Sequence, residues 1–112
     1  MLRYEGQVAG RYITDEDNKI VMDIDLGSGQ VDGNIKFTQK MMGMSRTWDT
    51  DIKGSFKSGS RFELETDSDG YSGNGYTKLK GEHLEEAHGM MHLKHQYQKV
   101  DIDFTAQKKS AK

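Results

Sequence analysis

The chain has 112 residues, a formal charge of −2 and a hydrophobic fraction of 33%. This length predicts one domain spanning residues 1–112. The nearly balanced charge gives no net field that favours nucleic acid, and no apolar run approaches the roughly 18 residues of a transmembrane helix. The chain contains no cysteine, which excludes disulfides, thiolate metal sites and cysteine nucleophiles.

Apolar and polar residues alternate along most of the chain, and 13 glycines but no prolines accompany them. The alternation predicts strands at residues 2–12, 20–26, 31–37, 48–56, 61–65, 76–81, 87–93 and 100–106. Regularly spaced short strands are typical of a barrel or sandwich. We therefore predict an all-β fold, a single antiparallel barrel of about eight strands. Its interior should hold Tyr4, Ile24, Ile35, Ile52, Phe56, Phe62, Val100, Ile102 and Phe104.

The segments between these strands are polar or rich in glycine. Residues 39–46 break the alternation and predict a longer loop. Residues 67–75 predict a polar, glycine-rich loop, which has too few suitably spaced ligands for a calcium site. Residues 82–86 predict a connector. Residues 108–112 form a basic terminus that we expect to be a disordered, solvated tail.

Several segments resemble the β-barrel domain of the transferrin-binding protein B family. Residues 79–91 match that family's aromatic-Tyr-Gly-Pro-x-Ala-x-Glu-x-Gly-Gly-x-Phe segment, without gaps, at Gly81, Glu86 and Gly89. The family's final strand ends near Phe-Gly-Ala-Lys, and residues 104–108 keep its Phe and Ala as Phe104 and Ala106. Residues 26–33 and 52–56 are similar to its glycine hairpin and its Ile-x-Gly-x-x-Phe strand. The match departs where Glu82 replaces Pro, where His88 replaces Gly and where Met91 replaces Phe.

The resemblance implies a surface receptor module of Gram-negative bacteria that captures a host protein or its iron or haem cargo. Relatives in the family include receptors for transferrin, complement regulators and haemoglobin. The resemblance also implies a cell-surface or secreted location, with an export signal upstream of Met1. If Met1 is the native start, the cytoplasm is expected instead. That case would favour a different class of protein, an intracellular inhibitor or immunity-type barrel.

The candidate partner-binding residues are Met41, Met42, Met44 and Trp48. Methionine is a flexible apolar side chain that is common at adaptable binding surfaces, but it also fills gaps in cores. The three methionines are therefore either a partner contact or a filler of the barrel mouth. Trp48 is either a core plug or an interface anchor. A protein partner is the leading expectation.

The candidate metal-binding residues are His88, Met90 and His92. Histidine and methionine both ligate haem iron and copper, and the three residues would share one side of a strand. The alternative is an outward polar face opposite an inward apolar one. This segment therefore offers a second possible function, a haem or soft-metal carrier, while no cofactor is expected under the leading hypothesis.

Catalytic motifs are absent from the sequence. It contains no nucleophile elbow, P-loop or dinucleotide-binding fingerprint. Its many carboxylates fit the outward positions of alternating strands. We therefore expect a binding protein and not an enzyme.

Overall fold

The computed structural model describes residues 1–14 and 16–109. The strands are β1 (Leu2–Gly10), β2 (Lys19–Asp25), β3 (Gln30–Met41), β4 (Met44–Ser58), β5 (Arg61–Ser68), β6 (Tyr71–Lys80), β7 (Glu86–His95) and β8 (Gln98–Lys108). Each strand pairs antiparallel with the next, and β8 pairs with β1, so the sheet closes into a barrel. The predicted all-β antiparallel barrel of eight strands is confirmed. Within the described part of the chain, no helix is long and apolar enough to cross a membrane.

Alternate residues of the strands fill the barrel interior. In β2, Ile20, Met22 and Ile24 are fully buried, while the residues between them face outward. Strand β8 repeats this pattern, with Asp101 and Asp103 on the outside. Because each buried aliphatic or aromatic side chain contributes about 1.5–3 kcal/mol, the inward set supplies the main stabilisation of the fold. An eight-stranded barrel is narrow enough for these side chains to fill it.

Eight of the nine residues predicted to be inward are buried, and Phe56 is the exception. Phe56 lies directly opposite Phe62 across β4 and β5, and the two rings meet edge to face at 5.7 Å. Its side chain is nevertheless 48% exposed. The reason is its position: it lies at the barrel rim, next to a register shift between Phe56 and Ser58.

Both predicted long loops are instead tight hairpins, so these two predictions are wrong. Residues 39–46 form the ends of β3 and β4 around a two-residue turn, Met42-Gly43. Residues 67–75 belong to β5 and β6, which are joined by Asp69-Gly70. In each turn both residues have positive φ, between 50° and 83°, as a type I′ turn requires. The turn geometry matches the twist of the strands, so the ladders continue to the tips.

The C-terminal strand is longer than predicted. Lys108 is still part of β8, and the amide of Lys109 donates a hydrogen bond of 2.9 Å to the carbonyl of Arg3. The other residues of the predicted tail, 110–112, lie outside the described residues.

The up-and-down topology gives the barrel two distinct ends. The turns after β1, β3, β5 and β7 lie at one end, which we call the hairpin end. The turns after β2, β4 and β6 lie at the other, together with the start of β1 and the end of β8. We call this the terminal end.

Candidate functional site

The ends of β3 and β4 carry three exposed methionines, and we call this segment the methionine hairpin. Met41 and Met44 pair across the hairpin, and Met42 occupies the turn. By strand alternation Met41 and Met44 share the inward face with Phe37 and Trp48. They lie beyond the mouth, however, and are 41% and 76% exposed, while Met42 is fully exposed. The hairpin therefore carries the apolar lining of the barrel out into solvent.

Backbone hydrogen bonds hold one edge of the methionine hairpin in place. The amide of Lys40 donates to the carbonyl of Tyr12 at 2.9 Å, and the amide of Thr14 donates to that of Thr38 at 3.3 Å. The loop between β1 and β2 thus lies along β3. On the other edge, the ladder between β4 and β5 covers only the part of β4 from Lys53 onward.

An aromatic and cationic cluster lies beneath the methionine hairpin. Trp48 is fully buried, stacks on Phe37 at 5.8 Å, and donates from its indole nitrogen to the side chain of Gln39 at 2.9 Å.

The Arg46 guanidinium lies 5.1 Å from the Trp48 ring and 2.5 Å from Nδ1 of His95. Because a guanidinium only donates, His95 accepts through an unprotonated Nδ1. Tyr71 stacks on His95 at 4.1 Å. The cluster joins β3, β4, β6 and β7 at the barrel mouth.

The methionines form the wall of a concave surface. A cavity of about 350 Å³ lies at the hairpin end, lined by Gln39, Met41, Met42, Met44, Ser45, Arg46 and Gln98. Gln98 comes from the start of β8, so the cavity spans from the methionine hairpin to the turn between β7 and β8. Apolar walls with a few amides and one cation are typical of a surface that binds another molecule.

Exposed apolar side chains are concentrated at this end. Among the described residues, eight large hydrophobic side chains are exposed, and five of them lie here: Tyr12, Met41, Met42, Met44 and Tyr97. Tyr97 is 98% exposed. The terminal end has its own cavity of about 470 Å³, with Leu26 and Phe56 among its lining residues. The two ends are therefore competing contact surfaces, and the hairpin end exposes more apolar side chains.

The candidate metal-binding residues lie on the outer face of β7. Each histidine pairs with a different carboxylate, since His88 Nε2 is 2.8 Å from Glu86 and His92 Nδ1 is 2.5 Å from Asp101. Four residues along a strand span roughly 13 Å, so the two rings start far apart. Met90 lies between them and pairs with Asp103 of β8. Over the part of the chain that the structure describes, no group of three or more His, Cys, Asp or Glu side chains is placed to hold a metal ion.

The structure separates the four candidate partner-binding residues into two environments. Met41, Met42 and Met44 lie at the surface, and Trp48 lies in the core directly behind them. Sequence reasoning overlooked Gln98, which lines the same cavity as the methionines, and the contact between Arg46 and His95. The signal that could have found them is topological, because alternate turns of an up-and-down barrel meet at one end.

Comparisons with known proteins bear on the fold. Neither a protein-family model nor a curated protein matches this chain. Among solved structures, the chain is similar to transferrin-binding protein B from Haemophilus parasuis Hp5, a vaccine antigen, with a TM-score of 0.63 and 19% sequence identity. The match covers 99% of this chain and 26% of that one. The chain thus spans about a quarter of the length of the protein it matches, and at this identity the two share a barrel fold.

Proposed function

We propose that this chain is a non-catalytic binding module that captures a protein partner through the hairpin end of its barrel. The observation that carries the proposal is the concentration of exposed apolar side chains around the methionine hairpin. Contiguous apolar surface is costly to expose unless it contacts something. The barrel interior is filled by its own side chains, which leaves the ends and the outer wall for contact.

The similarity to transferrin-binding protein B supports a host protein as the partner. We therefore propose that the module acts at a bacterial cell surface. Its partner there would be a host protein of the kind that the transferrin-binding protein B family binds. A methionine-rich contact suits this role because flexible thioether side chains adapt to an irregular partner surface.

Surface plasmon resonance with the immobilised chain tests the proposal. The analytes are transferrin, haemoglobin and a complement regulator, with serum albumin as the reference. The test variant replaces Met41, Met42 and Met44 together with Ser. Burial of one methionine is worth about 1.5–3 kcal/mol, so the variant should raise the Kd of the captured analyte by at least about 100-fold. Its melting temperature should stay nearly unchanged, since these side chains are exposed.

The matched control replaces Leu26 with Ser. Leu26 is 54% exposed and lies at the terminal end, so its loss should leave binding intact. Binding that survives the methionine substitutions but is lost with Leu26→Ser would move the contact to the terminal end. If none of the three host analytes shows saturable binding, the proposed capture of a host protein is wrong.

A haem or soft-metal carrier using His88, Met90 and His92 stays a second hypothesis. Both imidazoles are accessible on the outer wall, although each is paired with a carboxylate. Haemin titration followed in the Soret region tests it. A stoichiometric spectral change that His88→Ala and His92→Ala abolish would support the carrier, and an unchanged spectrum would remove it.

A further inference from the structure

The three methionines of the methionine hairpin line the same cavity. Met41 and Met44 lie directly opposite each other in the ladder, so their Cβ atoms are about 4.5–5.5 Å apart. Met42 is the first residue of the turn that joins them. Methionine has three rotatable side-chain bonds, and all three side chains are exposed rather than packed in the core. Their sulfur atoms can therefore approach one another above the tip.

We propose that Met41, Met42 and Met44 form a thioether site for one copper(I) ion. This inference goes beyond the capture of a protein partner, because it assigns a metal ligand to the same hairpin. It is also distinct from the histidine segment of β7, which lies on the outer wall of the barrel.

The surroundings of the methionine hairpin favour a soft monovalent ion over a hard divalent one. Thioether sulfur is a soft, uncharged ligand that selects copper(I), whereas calcium and magnesium require oxygen ligands. The described residues that line the cavity include no carboxylate. The Arg46 guanidinium is the one cation among them. Its repulsion of a bound metal ion is weaker for a monovalent ion than for a divalent one. The Arg46 guanidinium also contacts Nδ1 of His95 and the ring of Trp48.

The ligand chemistry gives the site a distinctive pH dependence. Histidine and cysteine must lose a proton to bind a metal, so their affinities fall as pH falls. A thioether has no proton to lose. Affinity at the methionine hairpin should therefore fall less between about pH 8 and about pH 5 than the affinity of a site built from imidazoles.

The direct test uses the full chain labelled with ¹³C at its methionine methyl groups. Silver(I) serves as a redox-inert substitute for copper(I). At one equivalent, the methyl resonances of Met41, Met42 and Met44 should shift, and those of Met22 and Met91 should not, because both are buried in the core. Shifts confined to Met90 or Met1, or no shift at one equivalent, would overturn the site.

Affinity is measured by competition with bicinchoninate for copper(I) under ascorbate. Replacing the three hairpin methionines with Leu should weaken binding by more than about tenfold, since losing a ligand costs at least as much as losing a supporting residue. Met90→Leu is the matched control and should leave binding unchanged. Equal affinity in the triple Leu variant would contradict the proposal.

The same Leu variant separates the metal site from the protein contact. Leucine keeps the apolar surface but removes the sulfur ligands, so partner capture should persist while copper(I) binding is lost. If the Leu variant loses partner capture but keeps copper(I) binding, the metal site is contradicted. The proposed contact surface is then supported.

Discussion

Trp48 is the residue through which the methionine hairpin is attached to the core. It is fully buried, stacks on Phe37, and donates a hydrogen bond to Gln39. Truncation of a buried aromatic side chain to Ala costs about 3–5 kcal/mol, a large part of a stability of about 5–15 kcal/mol. Trp48→Ala should therefore lower the melting temperature by about 12–20 °C at about 4 °C per kcal/mol.

Trp48→Phe is the graded companion to this change. Phenylalanine keeps a ring against Phe37 but loses the indole donor, whose hydrogen bond is worth about 1 kcal/mol, and leaves a smaller cavity. We expect it to cost about 1–2 kcal/mol. Trp48 is the chain's single tryptophan, so both variants must be followed by far-ultraviolet circular dichroism during urea unfolding. A loss below about 1 kcal/mol for Trp48→Ala would refute its role as a core plug.

Three further predictions concern the barrel itself. Phe104→Ala should cost about 3–5 kcal/mol in urea unfolding, whereas Phe56→Ala, at the exposed rim, should cost less than half as much; equal losses would contradict the assigned burial. Burial raises the pKa of the Tyr4 hydroxyl, so its contribution to stability is complete below about pH 10 and is lost as pH rises further. The urea midpoint should therefore fall more steeply between about pH 9 and about pH 11 in the wild-type chain than in Tyr4→Phe. Gly43→Ala should destabilise by about 1–2 kcal/mol through its positive φ alone, because a Cβ there meets no atom within 4 Å; an unchanged midpoint would show that the turn relaxes.

The strands that sequence reasoning located well are those whose inward positions are apolar. Strands β2 and β8 alternate apolar residues with mostly charged or polar ones, so the hydropathy period reveals them directly. Their burial follows once the sheet closes, because an eight-stranded barrel has an interior only wide enough for side chains.

Only the second half of β6 is evident from the sequence, because two inward positions of its first half, Gly73 and Gly75, have no side chain. A Cβ on Gly75 would overlap the carbonyl oxygen of Met90, so the neighbouring strand is too close for any larger residue. Glycine does not register as apolar in the hydropathy period, and residues 71–75 are therefore mistaken for part of a polar loop. The Asp69-Gly70 pair was the available signal for a hairpin.

The candidate site was only partly predictable for a different reason. The three methionines stand out in the sequence, but their location depends on how far β3 and β4 extend past the mouth. Met42 adopts a φ of 50°, which is uncommon for a residue other than glycine, asparagine or aspartate, so the tight turn has a weak sequence signal. The pairing of Arg46 with His95 joins residues that are 49 positions apart, and only the closed topology brings them together.

The location of the partner contact can be read most directly from the methionine methyl spectrum of the chain bound to its captured host protein. The seven methionines sample distinct places: the hairpin end, the wall at Met90, the core, and the terminal end at Met1. We predict that the resonances of Met41, Met42 and Met44 broaden or shift on binding, while those of Met1 and Met90 keep their positions. Changes at Met1 or Met90, with the three hairpin resonances unaltered, would contradict a contact at the hairpin end.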